Sequence, residues 1–262
     1  MKANAGTLND YLQAILENYT DHSETPPQLM GMVLQMDRIF QEEIFGHDLE
    51  MHPYALLLAM NSYTMLLNAV GQALSGHTVA VFPVARTALE SACYAYLISQ
   101  DEALGDIWAN RHKSEKALQK CRRELTVKKA CDALVSLSPQ MAENVMAHYN
   151  AAIDYGAHPN RKAVLNHLSD IGEVDSKFHG FELTGVYGPN SWQVNYALLA
   201  CTEVGQAIAF LIAASADKHP LVYEHLEVFA DWLEDKNRIA EELNGKPIDY
   251  SGPMYSSVIP PI

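Results

Sequence analysis

The stretch Thr78–Gln100, TVAVFPVARTALESACYAYLISQ, decides the reading of this chain. Its apolar residues recur at spacings of three and four, the mark of a helix, and it is long enough to span a bilayer. Yet Arg86 and Glu90 stand near its middle. Each would cost about 3 kcal/mol at a membrane centre. A second apolar stretch, Val194–Ala216, carries Glu203. Both read as central helices of a soluble bundle, with no membrane partner.

Outward from these two stretches the same periodicity dominates, and alternation is rare. A short helix is expected from an N-cap at Thr7 to Tyr19, then a linker over Asp21–Pro27. Further helices are expected over Gln28–Phe45 and over His52–Leu74, the latter closed by Ser75-Gly76. Asp101–Ser136 reads as one long charged helix or two joined pieces. Ser138 caps a helix over Pro139–Asp154, and a short helix runs through His167. Mixed Phe, Val, Tyr and Thr with glycines predict a small β-hairpin near Asp175–Tyr187. Ser191 caps the second apolar helix, and Pro220–Leu243 is amphipathic. The tail Gly245–Ile262 holds four prolines and is expected to be extended. The expected fold is all-α: an irregular multi-helix bundle forming a single domain over residues 1–262, with a peripheral N-terminal helix and a Pro-rich tail at 245–262.

The net charge of −14 disfavours a general affinity for nucleic acid or anionic lipid. Eight of the 18 Lys and Arg residues crowd into Arg111–Lys129, against only Glu115 and Glu124. This segment reads as a solvated face that pairs with acidic neighbours or a second subunit, or else as a phosphate-contacting helix. The long apolar helices and this basic segment on an acidic body predict a homodimer. The four cysteines lack clip spacing and suit a reduced compartment. The N-terminal residues lack the apolar core of a signal peptide, so a cytoplasmic location is expected.

Arg86 and Glu90 lie at i,i+4 and share a helix face. They form a buried ion pair that fixes helix register, the wall of a ligand-binding or catalytic pocket, or part of an exposed helix face. Asn61, Tyr63, Asn68 and Glu203 are the polar residues on other apolar helices that can reach them. A second polar cluster is Asp154-Tyr155-Gly156-Ala157-His158-Pro159-Asn160, at a helix end. There His158 is a candidate acid or base and Asp154 its orienting partner, or Asp154 and Asn160 simply cap helices. Arg86, Glu90, Asp154, His158 and Glu203 are therefore the candidate ligand-binding residues, for a small polar or anionic ligand. The sequence has no Glu-x-x-His pair, His-Glu-x-x-His motif, phosphate loop or nucleophile elbow. His148, Asp154 and His158 have no diagnostic metal spacing. No metal or cofactor is expected.

Leu74-Ser75-Gly76-His77, Arg86-Thr87-Ala88-Leu89-Glu90 and Tyr94-Ala95-Tyr96-Leu97, with His158 downstream, resemble an uncharacterised bacterial all-helical family. That family is distantly similar to the HEPN-like helical bundles, some of which are metal-independent ribonucleases of toxin and phage-defence systems. Their signature is an Arg followed after four to six residues by a His. Arg161 and His167 fit it. The resemblance implies that these two would be catalytic across a dimer, with Arg111–Lys129 on the RNA backbone. A third reading makes the tail from Ile248 to Ile262 an adaptor for a partner protein.

Overall fold

A computed structural model describes residues 6–159, 161–175, 178–224 and 226–245, and the single positions 248, 252, 253 and 255. The fold is all-helical with one two-stranded hairpin. Helix α1 spans Leu8–Glu24, α2 Met30–Arg38, α3 Pro53–Leu74 and α4 Thr78–Gln100. Helices α5 (Ala103–Ala109), α6 (Glu115–Glu124), α7 (Val127–Leu134) and α8 (Pro139–Ala152) follow. Helix α9 (Arg161–Leu165) leads into β1 (Leu168–Asp175) and β2 (Phe178–Leu183). Then come α10 (Trp192–Ser215), α11 (Pro220–Tyr223) and α12 (Glu227–Asn244).

Helix α4 is the hub, packed between α3 and α10. Its small residues Ala85, Ala88, Ala92 and Ala95 are buried and let neighbouring backbones approach. Helix α10 is buried almost all round, as expected of a helix without a polar face. It is long and apolar enough to cross a membrane, but 89% of its apolar window is buried inside the protein.

Several boundaries differ from those expected. Helix α1 runs past Tyr19 into the expected linker and ends at Glu24. A reciprocal capping box between Thr7 and Asp10 starts it, and its far end is tied into the molecule. There Asn18 Nδ2 donates to the carbonyls of Ser75 and Tyr187, and His22 Nδ1 meets the Leu74 carbonyl. Gly76 turns beneath Asn18 with φ +87°, and a Cβ there would lie 2.4 Å from the Tyr187 carbonyl. The charged segment after α4 is three helices, because Ser114 and Thr126 cap new ones at Ala117 N and Lys129 N. The hairpin pairs Leu168 with Leu183, so it begins earlier than the expected 175–187.

Two helices continue into a wider π-helical turn: α2 through Ile39–Ile44, and α8 through Ile153–Ala157. The second positions the site. Pro83, inside α4, lacks the N–H that would bond the Val79 carbonyl. Gly156 packs directly on that carbonyl: a Cβ there would sit 2.5 Å from Val79 O and 3.1 Å from Phe82. The π turn therefore lies flat on the irregular part of α4, and its exit at His158 reaches Arg86.

The described tail residues pack on their own domain. Ile248 is 6% exposed, and Tyr255, at 1%, is among the most deeply buried side chains. This placement gives the adaptor reading no free segment at those positions.

Candidate functional site

Thr78, Phe82, Arg86 and Glu90 are spaced by four and form one stripe along α4. Arg86 is the centre of its polar half. Nε donates to Glu90 Oε1 at 3.0 Å, Nη2 to the Tyr149 hydroxyl at 2.8 Å and Nη1 to His158 Nε2 at 3.2 Å. The guanidinium carbon also lies 4.7 Å from the Tyr149 ring centroid. The Arg86 and Glu90 side chains are 21% and 29% exposed, so the pair sits at the rim of the protein rather than in its core.

None of the polar residues expected on other helices meets Arg86. Asn61 donates to Ser91 Oγ, Tyr63 bonds Asp37 and Gln41, and Asn68 bonds a carbonyl of its own helix. Arg86 faces α8 and its π turn, and its partners come from there. Tyr149 is the member that sequence reasoning missed. A tyrosine on an amphipathic helix gives no signal of its own, since it reads as ordinary packing.

Two further candidates lie elsewhere. Asp154 pairs with Lys162 Nζ at 3.1 Å rather than with His158, and both side chains of that pair are more than half exposed. Lys162 Nζ also sits 5.5 Å from the Tyr155 ring centroid. Asn160, the other expected cap, is outside the described residues. Glu203 belongs to a separate, fully buried network. Its Oε1 meets Lys236 Nζ at 3.1 Å, and its Oε2 accepts the Tyr255 N–H at 3.3 Å. The Tyr255 hydroxyl in turn meets His148 Nδ1 at 3.0 Å. Tyr149 and His148, adjacent on α8, thus serve different clusters, one at the rim and one in the core.

Arg161 is exposed, whereas His167 is half-buried, and the His167 Nδ1 meets the Tyr187 hydroxyl at 2.6 Å rather than Arg161. Burial lowers the His167 imidazole below its ordinary range. Apart from partly buried Arg111, the cations of the Arg111–Lys129 segment are exposed. Among the described residues, their ion pairs are those of Arg123 and Lys129 with Glu124. Those two cations push the Glu124 carboxyl down to about 2. All four cysteines are buried and free, and burial pushes the Cys131 thiol up to about 11 and the Cys201 thiol to about 12. A thiol held protonated is a poor nucleophile. Among the described residues no group of three or more His, Cys, Asp or Glu is placed to hold a metal ion.

Chemically, the Arg86 cluster is a set of donors. A guanidinium has five N–H groups, and three are engaged among the described residues, which leaves two for a further acceptor. Because His158 Nε2 accepts from Arg86, the imidazole proton is on Nδ1, a third donor on an exposed side chain. Glu90 holds the guanidinium plane fixed through Nε. Such an arrangement suits a carboxylate, phosphate or carbonyl oxygen. Compared with known proteins, the chain matches no family model, no curated sequence and no solved structure.

Proposed function

We propose that the chain binds a small anionic or carbonyl-bearing ligand at Arg86, with Glu90, Tyr149 and His158 holding the guanidinium in place. The observation that carries this reading is the fixed, partly exposed guanidinium, which among the described residues has two N–H groups still unengaged. A merely structural arginine at this position would be expected to spend its donors on the fold. Here the side chain is 21% exposed, so an oxyanion can reach it from solvent. Pre-organisation by three partners removes most of the side-chain entropy that binding would otherwise cost.

Thermal melting with acetate or inorganic phosphate, at constant ionic strength, tests the proposal. A ligand at a hundred times its Kd adds about 2.7 kcal/mol. For a chain of this size that is a rise in Tm of roughly 5–10 °C. The rise should vanish in Arg86→Gln and persist in Arg122→Gln, which removes an exposed charge on α6. Equal shifts in the wild type and Arg86→Gln would show that the anions act on the whole surface and not at this cluster.

A further inference from the structure

Helix α3 buries one face in the bundle and leaves the opposite face open to solvent. Ala55, Leu58, Ala59, Ser62, Leu66 and Ala69 are on the buried side. On the other side Leu57, Met60, Thr64 and Leu67 are exposed, the three apolar ones at 59%, 44% and 42%. Their spacing of three, four and three is that of the a and d positions of a coiled coil, where such residues pack against a second helix. Leu56, Asn61 and Asn68 flank this seam, and they too are exposed and uncharged. No Asp, Glu, Lys or Arg occurs between Glu50 and Arg86, in a chain with 19% charged residues. A solvated helix face ordinarily carries charge, so this one is composed like an interior face. One end of the seam is closed. One turn beyond Leu67, the Tyr19 hydroxyl of α1 donates to the Gly71 carbonyl at 2.8 Å. From Tyr19 a further exposed apolar stripe, Leu16, Leu12 and Leu8, runs along α1.

Charge and geometry choose the occupant. With a net charge of −14, two copies repel over most of their surface. A contact between them falls either on neutral surface or between the acidic body and the basic segment Arg111–Lys129. Exposed ion pairs are screened and contribute little, whereas burying the leucines and methionine of the seam contributes through the hydrophobic effect. Charges beside a coiled-coil seam select a partner of different sequence. Here the flanks are neutral, so they oppose nothing in a copy of the same helix. The seam is also self-complementary. In an antiparallel pair about a two-fold axis, what one copy contacts on the other is contacted in return. Short of the stop at Tyr19, Leu57 then packs on Leu67 of the second copy and Met60 on its Thr64, each twice. Helices α3 and α1 are about 33 Å and 25 Å long with faces about 10 Å wide, so together they offer roughly 500 Å² of footprint per copy. A standard interface buries about 800 Å² per partner, the same order. We infer that the exposed seam of α3 pairs the chain with a second copy of itself, antiparallel, with Leu57 against Leu67. The inference rests on no residue of the anion cluster.

Sedimentation velocity of the full chain, from low micromolar to about 100 μM, reads the mass. The wild type should sediment as two chains. Leu57→Glu buries a carboxylate in two layers of the pair and should raise the dimer Kd at least roughly thirty-fold. Leu57 is exposed within its own chain, so helix content by circular dichroism should stay that of the wild type. Leu67→Lys should act in the same way. The double variant Leu57→Glu/Leu67→Lys sets each carboxylate opposite an ammonium of the other copy and should regain the dimer. Arg122→Glu, on α6, should leave the dimer intact. A single-chain mass for the wild type at the highest concentration would overturn the inference. So would a dimer that survives Leu57→Glu, or a double variant that stays dissociated. A dimer lost in Arg122→Glu would place the contact on the basic segment and overturn it as well.

Discussion

Replacing Lys236 by methionine probes the buried network at its most exposed energetic point. Lys236 and Glu203 are 3% and 6% exposed, with Nζ and Oε1 3.1 Å apart. At an effective dielectric constant of about 20, two unit charges at that separation attract by about 5 kcal/mol. Most of that attraction is offset by desolvation of the two ions, so the pair contributes little net stability. Lys236→Met removes the attraction and leaves the desolvation. Methionine fills most of the lysine stem, so packing changes little. Among the described residues, Glu203 keeps one compensating contact, the Tyr255 N–H at 3.3 Å. The carboxylate can limit its loss by taking up a proton, which for an ordinary glutamate at pH 7 costs about 3.7 kcal/mol. The variant should therefore lose about 3–4 kcal/mol at pH 7.

The sign of the pH dependence is fixed by the same argument. The folded variant holds a proton that the unfolded chain releases above the carboxyl range, so its stability deficit grows as pH rises. It should shrink by about 1.4 kcal/mol for each unit of pH lowered toward that range. Urea unfolding of wild type, Lys236→Met and Lys236→Met/Glu203→Gln at neutral and mildly acidic pH measures this. The double variant should recover most of the stability and lose the extra pH dependence. A deficit below about 1 kcal/mol at pH 7, or one that does not vary with pH, would refute the reasoning.

Two further outcomes are expected. Burial pushes the His148 imidazole down to about 4, so it is neutral in the fold, whereas in the unfolded chain it takes up a proton near pH 6.5. Its contribution is present above that range and is lost as pH falls toward 4, by roughly 3 kcal/mol in all; urea midpoints of His148→Gln should lack this part of the acid sensitivity. Gly156→Ala places a Cβ 2.5 Å from the Val79 carbonyl and should cost about 1–3 kcal/mol. Gly185→Ala, with nothing within 4 Å, should cost far less, and equal losses would show that the π turn does not bear on α4.

The long helices were legible because their signals are local. Pro53 at a first turn, Ser75-Gly76 at a last one and Ser191 before an apolar run each act over one helical turn, and α3, α4 and α10 start close to where those residues put them. The extent of α1 was not legible. Its last turn is held by Asn18 and His22 against residues 52 to 169 positions away, and Asp21–Pro27 alone reads as a linker. The Arg86–Glu90 pair followed from spacing alone. Its other partners did not, because which side of α4 meets α3 and which meets α8 depends on packing. Likewise Glu203 looked like a member of the same site, since a lone carboxylate on an apolar helix announces a polar contact without saying with whom. Lys236, which looks like any surface lysine of an amphipathic helix, supplied it.

The chain is synthesised from the N-terminus, and Glu203 is joined by Lys236 only 33 residues later and by the Tyr255 amide 52 residues later. For that interval α10 exists with a carboxylate on an otherwise apolar surface and no counter-ion. Burying it early would cost several kcal/mol, so the helix stays hydrated at that point, and transfer into a bilayer is penalised in the same way. Closure of α10 on its neighbours is thus disfavoured until α12 has emerged. Nascent chains that end before Lys236 should expose α10 to chaperones and proteases more than chains that include α12.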